Sequence, residues 1–179
     1  MGLPQSNDTT SFCIWLMPSK QSFNFNDIIQ HYASTYKTPK FAAHMTLFCG
    51  RTTHLPTLID RFNALFDHAC SATSNINGMI INKSFFQSLA LTFKKTESLL
   101  ALHKLSQALD PKSQYEFNPH LSLLYGRQDT IPLEFTINNG AIIFDKIYLM
   151  SDCDGENNEC ICSWHQIQHS REITLQEVP

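Results

Sequence analysis

The sequence predicts an α+β fold built from antiparallel sheets, and three observations carry that expectation. Strand-like and helix-like segments are interleaved along the 179 residues. Some neighbouring strands are separated by hairpin-length turns instead of crossover helices, which disfavours a doubly wound parallel sheet. One strand-forming passage also occurs twice. Phe41 to Arg51 runs Phe-Ala-Ala-His-Met-Thr-Leu-Phe-Cys-Gly-Arg, and Phe117 to Arg127 runs Phe-Asn-Pro-His-Leu-Ser-Leu-Leu-Tyr-Gly-Arg, with five of the eleven paired positions identical. The copies lie 76 residues apart, too far for a solenoid unit, so they mark two related half-domains within residues 1–179 and not an array.

Taken in order, the polar start over residues 1–10 is expected to fray. Residues 11–17 form a buried strand stopped by Pro18. From Asn24, the positions Phe25, Ile28, Ile29 and Tyr32 follow helical spacing, with Asn24 or Asn26 suited to cap the helix and Pro39 just past its end. The first His-bearing strand comes next and is expected to close at Gly50. Leu55, Leu58, Ile59, Phe62, Leu65 and Phe66 mark a second amphipathic helix, with Pro56 in its first turn. Residues 76–82 and 85–93 are expected to pair as strands. Thr96 begins a third helix with Leu99, Leu102, Leu105 and Leu109 on one face and Pro111 beyond it. The second His-bearing strand follows, and each is thus preceded by a helix and a loop. Short strands are expected at 133–137, 141–149 and 163–173, with Asn138-Asn139-Gly140 turning between the first two because Asn and Gly accept positive φ at low cost.

A hydrophobic fraction of 42% beside 16% charged residues belongs to a globular chain long enough to bury a core. With net charge −3 and a pI near 6.2, the chain lacks the broad basic footprint that long nucleic acid requires. A small anionic ligand held by a few local groups is compatible with that charge. No run approaches the ~20 apolar residues of a membrane span. The apolar run over 12–17 has no basic flank or cleavage site, so the protein reads as cytosolic, without a signal peptide or membrane association. The six cysteines, Cys13, Cys49, Cys70, Cys153, Cys160 and Cys162, are then expected as reduced thiols. No heptad or flat apolar edge announces an oligomeric partner.

The repeated passage carries the chemistry. A strand alternates its side chains, so His44 and Thr46 share one face while Met45 and Leu47 take the other, and His120 and Ser122 divide from Leu121 and Leu123 in the same way. Side by side, the two strands bring two imidazoles and two hydroxyls to one patch. That set suits the opening of a five-membered cyclic phosphate by water. One group must take a proton from water and another must protonate the departing ribose oxygen on the opposite side of phosphorus. Histidine holds either protonation state near neutral pH. Hydroxyls can grip the non-bridging oxygens without adding charge. No metal or cofactor is required by such a scheme.

The paired His44-Met45-Thr46-Leu47 and His120-Leu121-Ser122-Leu123 resemble the signature of the 2H phosphoesterase superfamily, and within it the cyclic phosphodiesterases of the plant and yeast type. The Gly after each motif, the opening strand, Phe144-Asp145-Lys146-Ile147 and Trp164 extend the likeness over nearly the whole chain. The resemblance implies one bilobal domain with two pseudo-symmetric lobes, each an antiparallel sheet with flanking helices, facing each other across a central cleft. It implies hydrolysis of ADP-ribose 1″,2″-cyclic phosphate to the 1″-phosphate and of nucleoside 2′,3′-cyclic phosphates to 2′-phosphates. It further implies His120 as the base, His44 as the acid, Thr46 and Ser122 as hydrogen-bond donors to the phosphate oxygens, and Tyr125 as a substrate contact, although strict strand parity would turn Tyr125 away from the other four. Two other readings remain open: an enzyme of the same superfamily acting on RNA ends or 2′,5′ linkages, and a module that binds a nucleotide phosphate without turnover.

The remaining histidines, His31, His54, His68, His103, His165 and His169, have no such paired context and read as surface or satisfied core groups. Arg51 and Arg127 repeat, yet each follows a Gly that ends a strand, which favours a solvent-facing loop over phosphate binding. Cys153, Cys160, Cys162 and His165 lack the paired C-x₂-C spacing of a zinc site. Asp152-Cys153-Asp154-Gly155-Glu156 is too short for a calcium loop of the EF-hand type and reads as a solvated turn.

Overall fold

The computed structural model describes residues 9–128, 130–133, 135–136, 140–152, 164–166 and 173–176. The elements run β1 (Thr10–Pro18), α1 (Phe25–Tyr36), β2 (Met45–Thr52), α2 (Leu55–Phe66), β3 (Ala72–Ile81), a 3₁₀ turn (Phe85–Gln87), β4 (Leu89–Phe93), α3 (Glu97–Gln107), β5 (His120–Leu124), β6 (Ala141–Asp152), β7 (Trp164–Gln166) and β8 (Ile173–Thr174). All pairings between these strands are antiparallel, as expected. The strand order is β1-β2-β5-β4-β3-β6-β7, and β1 also pairs with β6. Strands β1, β2 and β6 form one group and β3, β4 and β5 the other. The groups join at two seams, Met45 opposite Leu121 and Ala72–Asn75 along the start of β6. Each group carries one copy of the repeat, so the seam at Met45 and Leu121 is where the copies meet.

Alternation along the strands builds the core. Phe12, Ile14 and Leu16 of β1, Met45 and Leu47 of β2, and Leu121 and Leu123 of β5 are all buried. Three helices cover this face, with α1 against β5 and α3 against β2 and β3. Helix α1 buries Phe25, Ile29 and Tyr32, α2 buries Leu58, Phe62 and Phe66, and α3 buries Leu99 and Leu102. Each such side chain contributes roughly 1.5–3 kcal/mol relative to exposure. Of the two cap candidates, Asn24 occupies the N-cap of α1 without capping it through its side chain. Asn26 does something else: its Oδ1 accepts the Ala43 N–H at 2.8 Å, tying α1 to the residue before His44.

Four expectations are corrected. Gly50 does not close β2, which continues to Thr52. A Cβ at Gly50 would sit 2.8 Å from Phe12 Cζ and 2.9 Å from Asp110 Cβ, so this glycine serves close approach. Because Phe12 is fully buried and cannot retreat, Gly50→Ala is expected to lower the unfolding free energy by about 1–3 kcal/mol in urea titrations. Residues 85–87 form a 3₁₀ turn in place of the start of a strand, held by the Ser88 hydroxyl on the Ser84 carbonyl. Leu133, Phe135 and Thr136 lie in no strand. The expected strand over 163–173 is represented by β7 and β8 at its ends. The Asn138-Asn139 turn, the fraying start over residues 1–8 and the cysteine cluster at 153, 160 and 162 lie outside the described residues. Among the described residues, no helix is long and apolar enough to cross a membrane.

Candidate active site

Antiparallel pairing about Met45 and Leu121 sets the next positions outward beside each other: Ser122 by His44, and His120 by Thr46. Parity then turns these four side chains away from the core. They line a single cavity of about 200 Å³ together with Cys13, Trp15, Cys49, Phe86 and Tyr125. Strand β1 supplies Cys13 and Trp15 from the face opposite Phe12, Ile14 and Leu16. A register shift between Ile14 and Trp15 sets Trp15 across from Thr46 and Cys13 across from Cys49. That shift lets Leu47 and Phe48 both enter the core while Thr46 and Cys49, three residues apart, both reach the cavity.

The two histidines are held alike. His44 Nδ1 lies 2.7 Å from the Ala42 carbonyl oxygen, and His120 Nδ1 lies 2.8 Å from that of Asn118. A carbonyl only accepts, so each Nδ1 carries its proton and donates it two residues back. Each Nε2 is thereby left for other partners. Their second partners differ. The Tyr125 hydroxyl stands 3.4 Å from His44 Nε2, whereas Gln87 Nε2 on the 3₁₀ turn stands 3.1 Å from His120 Nε2. The hydroxyls differ as well. Ser122 Oγ donates to the Phe86 carbonyl at 2.7 Å, and Thr46 Oγ has no protein partner among the described residues.

Burial separates the rings further. His44 is 7% exposed and stacked on Trp15, with ring centroids 3.7 Å apart and planes 12° from parallel. Phe41 meets it edge-on and stacks on Tyr125. Burial pushes the His44 pKa down to about 4, opposed by the Ala42 hydrogen bond and aided by nearby His120. The value in the folded protein therefore lies below the ordinary 6.5, and the unfolded chain binds this proton first on acidification. The contribution to stability is full above pH 6.5 and is lost as pH falls to about 4. Urea titrations are expected to show a fall on the order of 3 kcal/mol across that window, flattened in His44→Gln. Burial likewise raises the Tyr125 hydroxyl well above the ordinary tyrosine value, so it stays a protonated donor.

A family model described as cyclic phosphodiesterase-like protein matches residues 10–136, which contain both histidine motifs and most of the chain. The chain belongs to the cyclic phosphodiesterase-like family. Among solved structures, Escherichia coli LigT in apo form aligns at TM-score 0.60 and 13% identity, covering 94% of this chain and 99% of LigT. LigT complexed with 3′-AMP aligns at 0.61 and 12%, covering 95% and 100%. TT0787 of Thermus thermophilus aligns at 0.60 and 12%, covering 93% and 98%. At such identities the structural likeness speaks for the 2H phosphoesterase fold. No curated protein matches in sequence.

In this cyclic phosphodiesterase-like protein, all five residues singled out from sequence, His44, Thr46, His120, Ser122 and Tyr125, come together in one cavity. Tyr125 corrects the parity expectation: β5 ends at Leu124, and the chain turns through Gly126 at φ +104°, so alternation no longer governs the residue between. Trp15, Phe86 and Gln87 were missed. For Trp15 a signal existed, since alternation in β1 separates it from the core set, but its strand neighbours are remote in sequence. Phe86 and Gln87 were hidden by the strand expectation for 85–93.

The cysteine expectation is corrected at two positions. Cys13 and Cys49 face each other across β1 and β2 with Cα atoms 4.2 Å apart and are joined in a disulfide at the cavity wall, while Cys70 is free and exposed. Arg51 and Arg127 are exposed, as the loop reading expected, although Arg51 sits within β2. His54 caps α2 by accepting the Thr57 N–H, and His103 donates to the Leu47 carbonyl, so both have structural partners. The described residues contain no group of three or more metal-ligating side chains.

Proposed function

We propose that this protein is a metal-independent cyclic phosphodiesterase for small ribose cyclic phosphates, acting on ADP-ribose 1″,2″-cyclic phosphate and nucleoside 2′,3′-cyclic phosphates. The observation that carries the reading is the pair of imidazoles lining one small cavity, each with its Nδ1 proton committed to a carbonyl. In the proposed reaction His120 Nε2 takes a proton from water as its oxygen bonds to phosphorus. The opposite P–O bond breaks, and His44 Nε2–H protonates the departing ribose oxygen. Thr46 and Ser122 donate to the non-bridging oxygens, and Tyr125 borders the substrate.

This assignment requires His44 to hold a proton that burial denies it in the empty site. An arriving phosphate anion offsets that desolvation, and the face of Trp15 attracts an imidazolium. His44 therefore takes up its proton with the substrate. Half-buried His120 is the more open of the two rings and is the one assigned to activate water. The nucleotide ligands of the LigT structures, 3′-AMP, NADP+ and ATP, are chemically in keeping with a small nucleotide substrate here. A product-resolved assay tests the reading. 2′,3′-cyclic AMP is expected to yield 2′-AMP, and ADP-ribose 1″,2″-cyclic phosphate its 1″-phosphate. Folded protein that consumes neither overturns the proposal, and 3′-AMP as the main product overturns the assignment of the leaving oxygen.

A further inference from the structure

His120 borders two compartments. On one side is the cavity it shares with His44. On the other is a wider groove of about 700 Å³, lined by Asn77, Gln87, Thr92, Lys94, Lys95 and Asn118 among others. Strand β4 leads into this groove from the His120 side. Thr92 pairs with His120 across β4 and β5 and so shares its face. Lys94 and Lys95 follow directly on the end of β4 at Phe93, where the Lys94 N–H donates to the Asn75 carbonyl at 3.0 Å, and both line the groove. Both lysines are exposed, and neither side chain has an ion-pair or hydrogen-bond partner among the described residues. No Asp or Glu lines the groove. In a chain of net charge −3, two ammonium groups and no carboxylate on the lining make this groove favourable for an anion.

We propose that the groove beyond His120 binds a second phosphate of the substrate, one that is not hydrolysed, with Lys94 and Lys95 as its countercharge. The inference rests on the phosphodiesterase reading and narrows it: the preferred substrate is a nucleotide with a phosphate beyond the cyclic one. The diphosphate of a small dinucleotide-like molecule and the phosphodiester next to an RNA end share that chemistry.

Two measurements test the subsite. Titration calorimetry at low ionic strength, which needs no turnover, compares adenosine 2′,5′-bisphosphate with 2′-AMP. The bisphosphate is expected to bind roughly 10-fold more tightly, as two lysine contacts supply, and the K94Q/K95Q variant to lose most of that advantage at an unchanged melting temperature. Equal affinities in the wild type, or an advantage the variant keeps, overturn the subsite. The second measurement compares kcat/KM for ADP-ribose 1″,2″-cyclic phosphate and for a ribotrinucleotide ending in a 2′,3′-cyclic phosphate, each against 2′,3′-cyclic AMP. The substrate whose preference collapses in K94Q/K95Q identifies the source of the second phosphate, and no lysine-dependent preference for either overturns the substrate inference. Lysine-dependent bisphosphate binding without turnover of any cyclic phosphate overturns the phosphodiesterase reading and leaves the subsite standing.

Discussion

Replacing His44 or His120 by glutamine is expected to lower kcat for 2′,3′-cyclic AMP by about 10²–10⁴, the range for a well-placed proton transfer. Each substitution removes an imidazole that lines the shared cavity, and neither ring holds the core together. Met45, Leu47, Leu121 and Leu123 do that from the opposite face of the same strands. The far-ultraviolet circular dichroism of both variants should therefore match the wild type. The double variant is expected to cost much less than the product of the two single effects, because both groups serve one proton-transfer sequence. Retention of more than a tenth of the wild-type rate by either single variant would remove that histidine from the mechanism.

Thr46→Val and Ser122→Ala are expected to have the next largest effects, and unequal ones. Removing a preorganised donor to a developing oxyanion costs about 2.7–4 kcal/mol, or roughly 10²–10³ in kcat. The Thr46 hydroxyl stands in the cavity with no protein partner among the described residues and can donate to phosphate at once. The Ser122 hydroxyl already donates to the Phe86 carbonyl at 2.7 Å and must give up that bond to serve the substrate. Thr46→Val should therefore approach the full loss, and Ser122→Ala should fall short of it. Steady-state rates at saturating 2′,3′-cyclic AMP measure the comparison, and a larger loss at Ser122 would reverse the argument.

Much of the site was legible because its placement depends on strand parity, a local rule. The alternation of His44 and Thr46 against Met45 and Leu47 fixes which face each residue takes whatever the strand pairs with. The helices were legible for the same reason, through the spacing of Phe25, Ile29 and Tyr32 or of Leu58 and Phe62. What escaped depends on contacts remote in sequence or on the ends of elements. Gly50 looked like a strand terminator because its neighbour Phe12 lies 38 positions away in the numbering. Cys13 and Cys49 looked like separate thiols because only the β1–β2 register places them opposite one another. Tyr125 looked misdirected because parity was carried one residue past the end of β5. Gln87 could not be assigned because two phenylalanines before it suggested a strand and its partner His120 belongs to another strand.

The same contacts break the symmetry of the repeat. Both copies fix their histidine by an identical bond from Nδ1 to the carbonyl two residues back, yet Trp15 covers one ring, and the other opens toward Gln87 and the lysine-rimmed groove. A duplicated motif thus becomes two unlike positions, in keeping with the one base and one acid of the proposed reaction.

Hydrolysis by protein freed of metal with EDTA tests the central claim most directly. The account predicts that 2′,3′-cyclic AMP is converted to 2′-AMP at a rate that added Mg²⁺ or Zn²⁺ does not raise. Failure of the folded, metal-free protein to turn it over, with activity restored by a metal ion, would contradict it.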